Sequence, residues 1–291
     1  MAEEALRTRF QYGFYAAMEV EYDLANVPLI YEHEVELGKD PLRLDFLIIK
    51  KDPELVLSDP IGEFFRHVNI FEYKSPEDGL SVNDFYKVQA YGLLYKVSNS
   101  KFRELPIDGI TLSIVRHTYP KSMIKALEDS GIVVNEAHPG IYRFDGKLSL
   151  SIQLIVPSKL PRGEYEGLRL LAHGATVEDL KSYGERAIAS DNERIKENAG
   201  TVIDVCLSTN KYLKEAEGMY EGFKEFFKES IEKDRQKWRQ EARQEGVNAE
   251  KKRVATDMLK KNLPLQLIEE ISKLSESVIR NIAASIGVAV S

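Results

Sequence analysis

Two stretches decide how this 291-residue chain is read: PLRLDFLIIKK at residues 41–51 and NIFEYKS at residues 69–75. The first contains an apolar strand-like run, Leu42 to Ile49, interrupted by Asp45. A carboxylate left buried and unpaired in such a strand carries a heavy desolvation penalty, so the sequence must supply a compensating partner. In the second stretch Glu72 and Lys74 stand two residues apart, and the period-two alternation of a strand turns both side chains to the same face. Taken alone, Glu-x-Lys is an ordinary exposed pair on many strands. If the same face also receives Asp45 from a neighbouring strand, two carboxylates and one ammonium converge.

Hard oxygen ligands of this kind suit Mg²⁺ or Mn²⁺, which take few protein carboxylates and keep several waters. A lysine beside the metal can orient or deprotonate an attacking water and neutralise the charge that develops on phosphorus. The chemistry implied is phosphodiester hydrolysis.

Working outward, an aromatic-rich helical stretch runs from about Phe10 to Leu24. Strand-like runs at Leu29 to Leu37 and Leu42 to Ile49 flank the turn-like GKDP, the pattern of a hairpin. A third strand, Val68 to Tyr73, precedes a helix from about Asn83 to Val97, where Phe85, Val88, Leu93 and Leu94 have helical spacing. Further short strands are expected at Ile110 to Val115, Gly140 to Phe144 and Leu148 to Val156. The order helix, three strands, helix, strand is an α/β pattern with one mixed sheet.

Strand signals stop near Gly174, and three regions are expected: an α/β domain over 1–175, a helical region over 176–246 and a small helical tail over 247–291. In the middle region Leu213, Ala216, Tyr220, Phe223, Phe227, Ile231, Trp238 and Ala242 follow mostly three- and four-residue steps, an amphipathic helix that either packs on the α/β body or favours a homodimer through the C-terminal helices. The tail reads as short helices broken at Asn262-Leu263-Pro264 and at Leu274-Ser275, a helix-turn-helix shape. Such a tail either packs as a simple tether or touches DNA phosphates.

Composition bounds the rest. Cys206 is the sole cysteine, which excludes an intrachain disulfide and a cysteine zinc cluster and points to a reducing, cytoplasmic setting. No apolar run is long enough for a membrane helix, and the start MAEEALRTRF lacks the order of a signal peptide. GxxxxGK[ST], GxGxxG and GxSxG are all missing, which disfavours nucleotide-loop and hydrolase-elbow enzymes. His33, His67, His117, His138 and His173 show no metal-type spacing. Net charge is −7, with 20 Lys/Arg against 26 Asp/Glu in residues 1–175, whereas Lys233 to Arg280 holds 12 against 8. The acid excess lowers the expected affinity for nucleic acid, and the basic tail keeps DNA open as a partner.

The order of elements, Asp45 and the Glu72-x-Lys74 pair resemble the PD-(D/E)XK nuclease superfamily. The wording of GFYAAMEVEY, PLRLDFLIIKK, NIFEYKSPEDGLSVNDFYKVQAYGLLYK and MLKKNLPLQLIEEISKLSESVI looks like its bacterial branch of recombination-promoting nucleases and transposase-like proteins. The resemblance covers roughly residues 10–160 plus the tail. It implies a restriction-endonuclease-like core followed by a helical C-terminal region, and a Mg²⁺-dependent (or Mn²⁺-dependent) DNA endonuclease. Asp45 and Glu72 would then be metal ligands and Lys74 the catalytic lysine. The acidic residue of the first helix would fall on Glu19, or in second place on Glu21, and Gln89 matches a glutamine that many relatives keep near the site. Leu44 stands where the name-giving proline would be. A hydrogen-bonded structural glutamate accounts for Glu19 equally well. The alternative reading is a catalytically inactive nuclease-fold binding or scaffold protein.

Overall fold

The computed structural model describes residues 2–36, 43–50, 52, 54–76, 78–98, 104–172, 174–210, 213, 236, 247–248, 251–261 and 263–285. The chain divides into two compact units, Met1–Ile231 and Glu232–Ser291. In the first unit the helices are α1 (Ala2–Leu24), α2 (Val82–Ser98), α3 (Lys121–Asp129), α4 (Glu166–Leu170), α5 (Val177–Ile188) and α6 (Glu193–Thr209). The strands are β1 (Leu29–Glu36), β2 (Arg43–Lys50), β3 (Val68–Lys74), β4 (Ile110–Arg116), β5 (Val133–His138), β6 (Ile141–Asp145) and β7 (Ser151–Ile155).

All seven strands form one mixed sheet in the order β1-β2-β3-β4-β7-β6-β5. β1, β2 and β3 make an antiparallel meander, and β4 then joins parallel to β3 after the α2 crossover. β7 is parallel to β4, and β6 and β5 close the sheet antiparallel. The expected order of helix, three strands, helix and strand is therefore present in an α/β protein.

Every residue of β3 is buried, as a central strand covered on both faces requires. On one face lies α1. Its Phe14 stacks on Tyr73 with ring centroids 4.7 Å apart and meets Phe46 and Phe71 at 5.7 and 6.0 Å. On the other face Leu47, Ile49, Val68 and Ile70 join Phe85 and Val88 of α2 in the main core. Against the outer side of α1 packs α6, where a Cβ at Gly13 would approach side-chain carbons of Leu171 and Val205 to 3.0 and 3.1 Å. The glycine thus permits the close helix contact, and Arg9 Nη2 donates to Asp204 Oδ2 across it at 2.8 Å.

Several sequence expectations change. The boundary at residue 175 does not divide the chain, since α5 and α6 belong to the first unit and α6 packs on α1. α3 and β5 had no sequence assignment, and α1 begins well before Phe10. The GKDP turn lies outside the described residues, as does the stretch from Leu213 to Ala242 apart from Leu213 and Gln236. No helix among the described residues is long and apolar enough to cross a membrane.

Because Phe14 is fully buried among three aromatic rings of β2 and β3, Phe14→Ala leaves a cavity at the junction of α1 and the sheet. Urea denaturation is expected to show a loss of about 3–5 kcal/mol, as for other buried phenylalanines. A loss below about 1 kcal/mol would show that α1 is not anchored through this ring.

Candidate functional site

The site grows from the β2–β3 register. Phe46 opposes Phe71 as the last ladder pair, and both rings turn toward α1. One step further along the same register, Asp45 and Glu72 fall opposite each other, and alternation puts both on the α2 face with Leu47 and Ile70. Lys74 shares that face. Its Nζ lies 2.9 Å from Glu72 Oε1. The carboxylates and ammonium read from the sequence therefore do come together.

Two further residues complete the cluster. Gln11, one turn before Tyr15 on α1, donates from Nε2 to Asp45 Oδ1 at 3.2 Å, while the Tyr73 backbone N–H donates to Asp45 Oδ2 at 3.0 Å. Asp84 in the first turn of α2 places Oδ1 3.4 Å from Lys74 Nζ. It is fixed there by Ser81: Asp84 Oδ2 accepts from the Ser81 N–H at 2.8 Å and from Ser81 Oγ at 2.6 Å, and the Asp84 N–H donates to Ser81 Oγ at 3.2 Å. This is a reciprocal capping box. Neither Gln11 nor Asp84 is among the site residues expected from the sequence. The spacing Ser81-x-x-Asp84 immediately after the Lys74 strand was the local signal for Asp84; Gln11 had none.

Electrostatics separates the charged groups. Burial pushes the Asp45 carboxyl up to about 7, and the neighbouring Glu72 charge pushes the same way, against the Tyr73 N–H and Lys74. For Lys74, burial works against the charge, but Glu72, Asp84 and Asp45 outweigh it and hold the ammonium above the usual lysine range. Lys74 is thus a firmly charged cation. At the rim, Arg7 is exposed and its Nε lies 3.5 Å from Asp78 Oδ2, a carboxylate that also accepts from the N–H and Oγ of Ser75.

The structure places the other two candidates elsewhere. Gln89 clamps the backbone of Leu150, donating from Nε2 to its carbonyl at 3.1 Å and accepting its N–H on Oε1 at 3.3 Å. Glu19 sits two turns beyond Gln11 on α1. It meets His33 Nε2 at 2.7 Å and accepts from Asn198 Nδ2 at 2.9 Å and from Arg194. Burial opposes the Glu19 charge, and the hydrogen bonds from His33 and Arg194 overcome it and hold the carboxyl below its usual range. Both residues act as fasteners here, Gln89 of α2 to the start of β7 and Glu19 of α1 to β1 and α6. Glu21 pairs with Arg186 at 3.8 Å and lines a separate pocket of about 410 Å³ with Tyr22, Asn26, Leu57 and Asp59. That pocket contains no residue of the Asp45 cluster.

Among the described residues, no three His, Cys, Asp or Glu side chains are grouped to hold a metal ion. Asp45 and Glu72 form a pair of hard donors beside the lysine. Comparison of the chain with protein-family models, with curated proteins and with solved structures gives no significant match.

A raised pKa makes the Asp45 charge a liability to the fold. The unfolded carboxyl ionises near 3.8 and the folded one near 7, so the folded state binds the extra proton between these values. Stability therefore falls as pH rises from about 4 to about 7 and then stays flat. Asp45→Asn keeps an acceptor for the Tyr73 N–H, and Gln11 can turn its amide over to accept from the new amide. Thermal melts in EDTA should show Asp45→Asn more stable than wild type by on the order of 2 kcal/mol at pH 8, the gain fading toward pH 4. A pH-independent difference, or a less stable variant at pH 8, contradicts this account of the charge.

Proposed function

We propose that the protein is a metal-dependent nuclease that hydrolyses phosphodiester bonds in DNA, associated with recombination or transposition. The observation that carries this reading is the convergence of Asp45, Glu72 and Lys74 on one sheet face at the end of the β2–β3 ladder. Chain order and pairing support a restriction-endonuclease-like core: α1, the β1–β2–β3 meander, the α2 crossover and parallel β4.

The donor set fits Mg²⁺ or Mn²⁺. Burial first, and then the Glu72 charge beside it, make Asp45 hold its proton toward neutrality, and a divalent cation would offset both by neutralising the carboxylate pair. Asp45 and Glu72 would hold it with water in the remaining positions, and the bound ion would supply Lewis-acid polarisation of a phosphoryl oxygen. The chain's own residues contribute the rest. Gln11 and the Tyr73 N–H fix the Asp45 carboxylate from two sides. Lys74, kept charged by three carboxylates, offers a cation to a non-bridging oxygen of the phosphate and stabilises the charge developing in the transition state. In this protonated form it acts as an electrostatic partner and water-orienting donor, and the role of base falls to another group.

One observation favours a second reading, a nuclease-fold binding or scaffold module without turnover. Among the described residues no third His, Cys, Asp or Glu joins Asp45 and Glu72 in a group that could hold a metal ion, and Glu19 is engaged by His33, Arg194 and Asn198.

Supercoiled plasmid incubated with the protein and Mg²⁺ or Mn²⁺ separates the two. Wild type is expected to nick it, and Asp45→Asn and Lys74→Ala to lose about 100-fold or more in rate, the scale on which transition-state electrostatics act. Mg²⁺ should also raise the melting temperature of wild type and leave that of Asp45→Asn unchanged. Nicking by all three proteins alike, or by none, rejects the catalytic assignment; a Mg²⁺ shift without nicking favours the binding module.

A further inference from the structure

We infer that the C-terminal unit is a helix-turn-helix module that reads the major groove of duplex DNA through one face of its last helix. This rests on the nucleic-acid reading above and deepens it by naming the form of the partner and the residues that contact it.

Within that unit, α7 (residues 251–260), α8 (Leu265–Ser272) and α9 (Glu276–Ser285) enclose a core of Ala255, Met258, Leu259, Ile268, Ile279 and Ala283. α8 has eight residues, α9 has ten, and residues 273–275 join them. The three-residue connection is tight because Lys273 adopts a left-handed backbone with φ of 56°, the place that glycine commonly takes in such turns. Its N–H still donates to the Glu269 carbonyl at 3.0 Å, and the Leu274 N–H donates to Ser272 Oγ at 3.3 Å, so the turn is held from within.

Ile279 and Ala283 fix which side of α9 faces the core. The opposite side carries Ser277, Arg280, Asn281 and Ala284, all exposed and spaced i, i+3, i+4, i+7 as one stripe. These side-chain types match the groups displayed in the major groove. Arg pairs with two guanine acceptors, Asn with the donor and acceptor edge of adenine, Ser with either kind of group, and the alanine methyl with the thymine methyl. A stripe chosen only for solubility has no need of this set, and would ordinarily be built from Lys and Glu.

Arg280 is held ready by Glu276, with Nη2 2.7 Å and Nε 2.8 Å from Oε1. Both side chains are half exposed, so this is a weak surface pair that a bidentate base contact can replace. In the same unit Lys252, Lys260, Lys261 and Lys273 are exposed, cations of the kind that contact phosphates. Residues 251–285 hold seven Lys/Arg and four Asp/Glu, a local excess of three positive charges on a chain of net −7.

The test uses the full chain in EDTA, where cleavage cannot contribute. A fluorescein-labelled 30-bp mixed-sequence duplex is titrated with wild type and with Arg280→Ala/Asn281→Ala, whose exposed positions and helix-compatible alanines leave the fold intact, as a melting curve checks. Wild type is expected to bind at 50 mM salt and to weaken steeply toward 200 mM. The double variant should bind about tenfold more weakly, and an unlabelled single-stranded RNA should compete poorly. No binding by wild type, equal binding by the variant, or competition by RNA as strong as by duplex overturns the inference. Cleavage in Mg²⁺ with no effect of the double variant on binding overturns this inference alone, and duplex binding without cleavage overturns the nuclease reading alone.

Discussion

The register of β2 against β3 is the constraint on which the rest of the first unit depends. With Phe46 opposite Phe71, one face of the pair offers aromatic rings to Phe14 and the other presents Asp45 and Glu72 on the α2 face. Slipping β2 by a single residue exchanges its faces: the Asp45 carboxylate would enter the aromatic layer under α1, and the Phe46 ring would leave it. The penalty of burying that charge among rings, added to the loss of the stacked layer, makes the native register strongly preferred. The same buried charge that is costly to the fold therefore helps to select it. Helices α1 and α2 then converge on the ladder end from opposite sides, through Gln11 on Asp45 and Asp84 on Lys74.

Much of this was legible in the sequence because it depends on local periodicity. Period-two alternation put Glu72 and Lys74 on one face, and the interrupted apolar run marked Asp45 as a residue needing a partner. The meander, the α2 crossover and β4 followed from the spacing of turns and apolar residues. What escaped notice had weaker local signals. β5 is an edge strand whose residues are mostly exposed, so VVNEAH carries no apolar alternation. The start of α1 has Leu6 as its one large apolar residue before Phe10, amid Glu3, Glu4, Arg7 and Arg9, and so carries a weak hydrophobic signal. α3 is a different case: Met123, Ile124 and Leu127 are buried at helical spacing, and the pattern was readable.

The partners of Gln89, Glu19 and α6 belong to another category. Gln89 lies on the same helix as Phe85 and Val88, and nothing within α2 distinguishes a side chain that reaches a ligand from one that clamps Leu150, 61 residues away. Glu19 likewise finds Arg194 and Asn198 across 175 and 179 residues. The change in composition near Gly174 suggested a domain boundary because it is a local property; the packing of α6 on α1 that overrides it is a long-range one. A boundary drawn from composition records where strands stop, which need not be where the core stops.

Lys74 shows how the cluster limits its own chemistry. An ammonium has three N–H donors, and Glu72 and Asp84 engage two of them, at 2.9 and 3.4 Å. One donor is left for a further acceptor, enough to hold a single non-bridging phosphate oxygen in a fixed direction. The carboxylates that aim the lysine also keep it protonated, so positioning and basicity oppose each other in this site. Neutralising either Glu72 or Asp84 would free a donor and ease loss of the proton, but it would also release the side chain from its orientation. With two anchors on different elements, β3 and α2, the arrangement favours a fixed cation over a mobile base, and in the proposed reaction that makes Lys74 a group that binds charge and leaves proton removal to water.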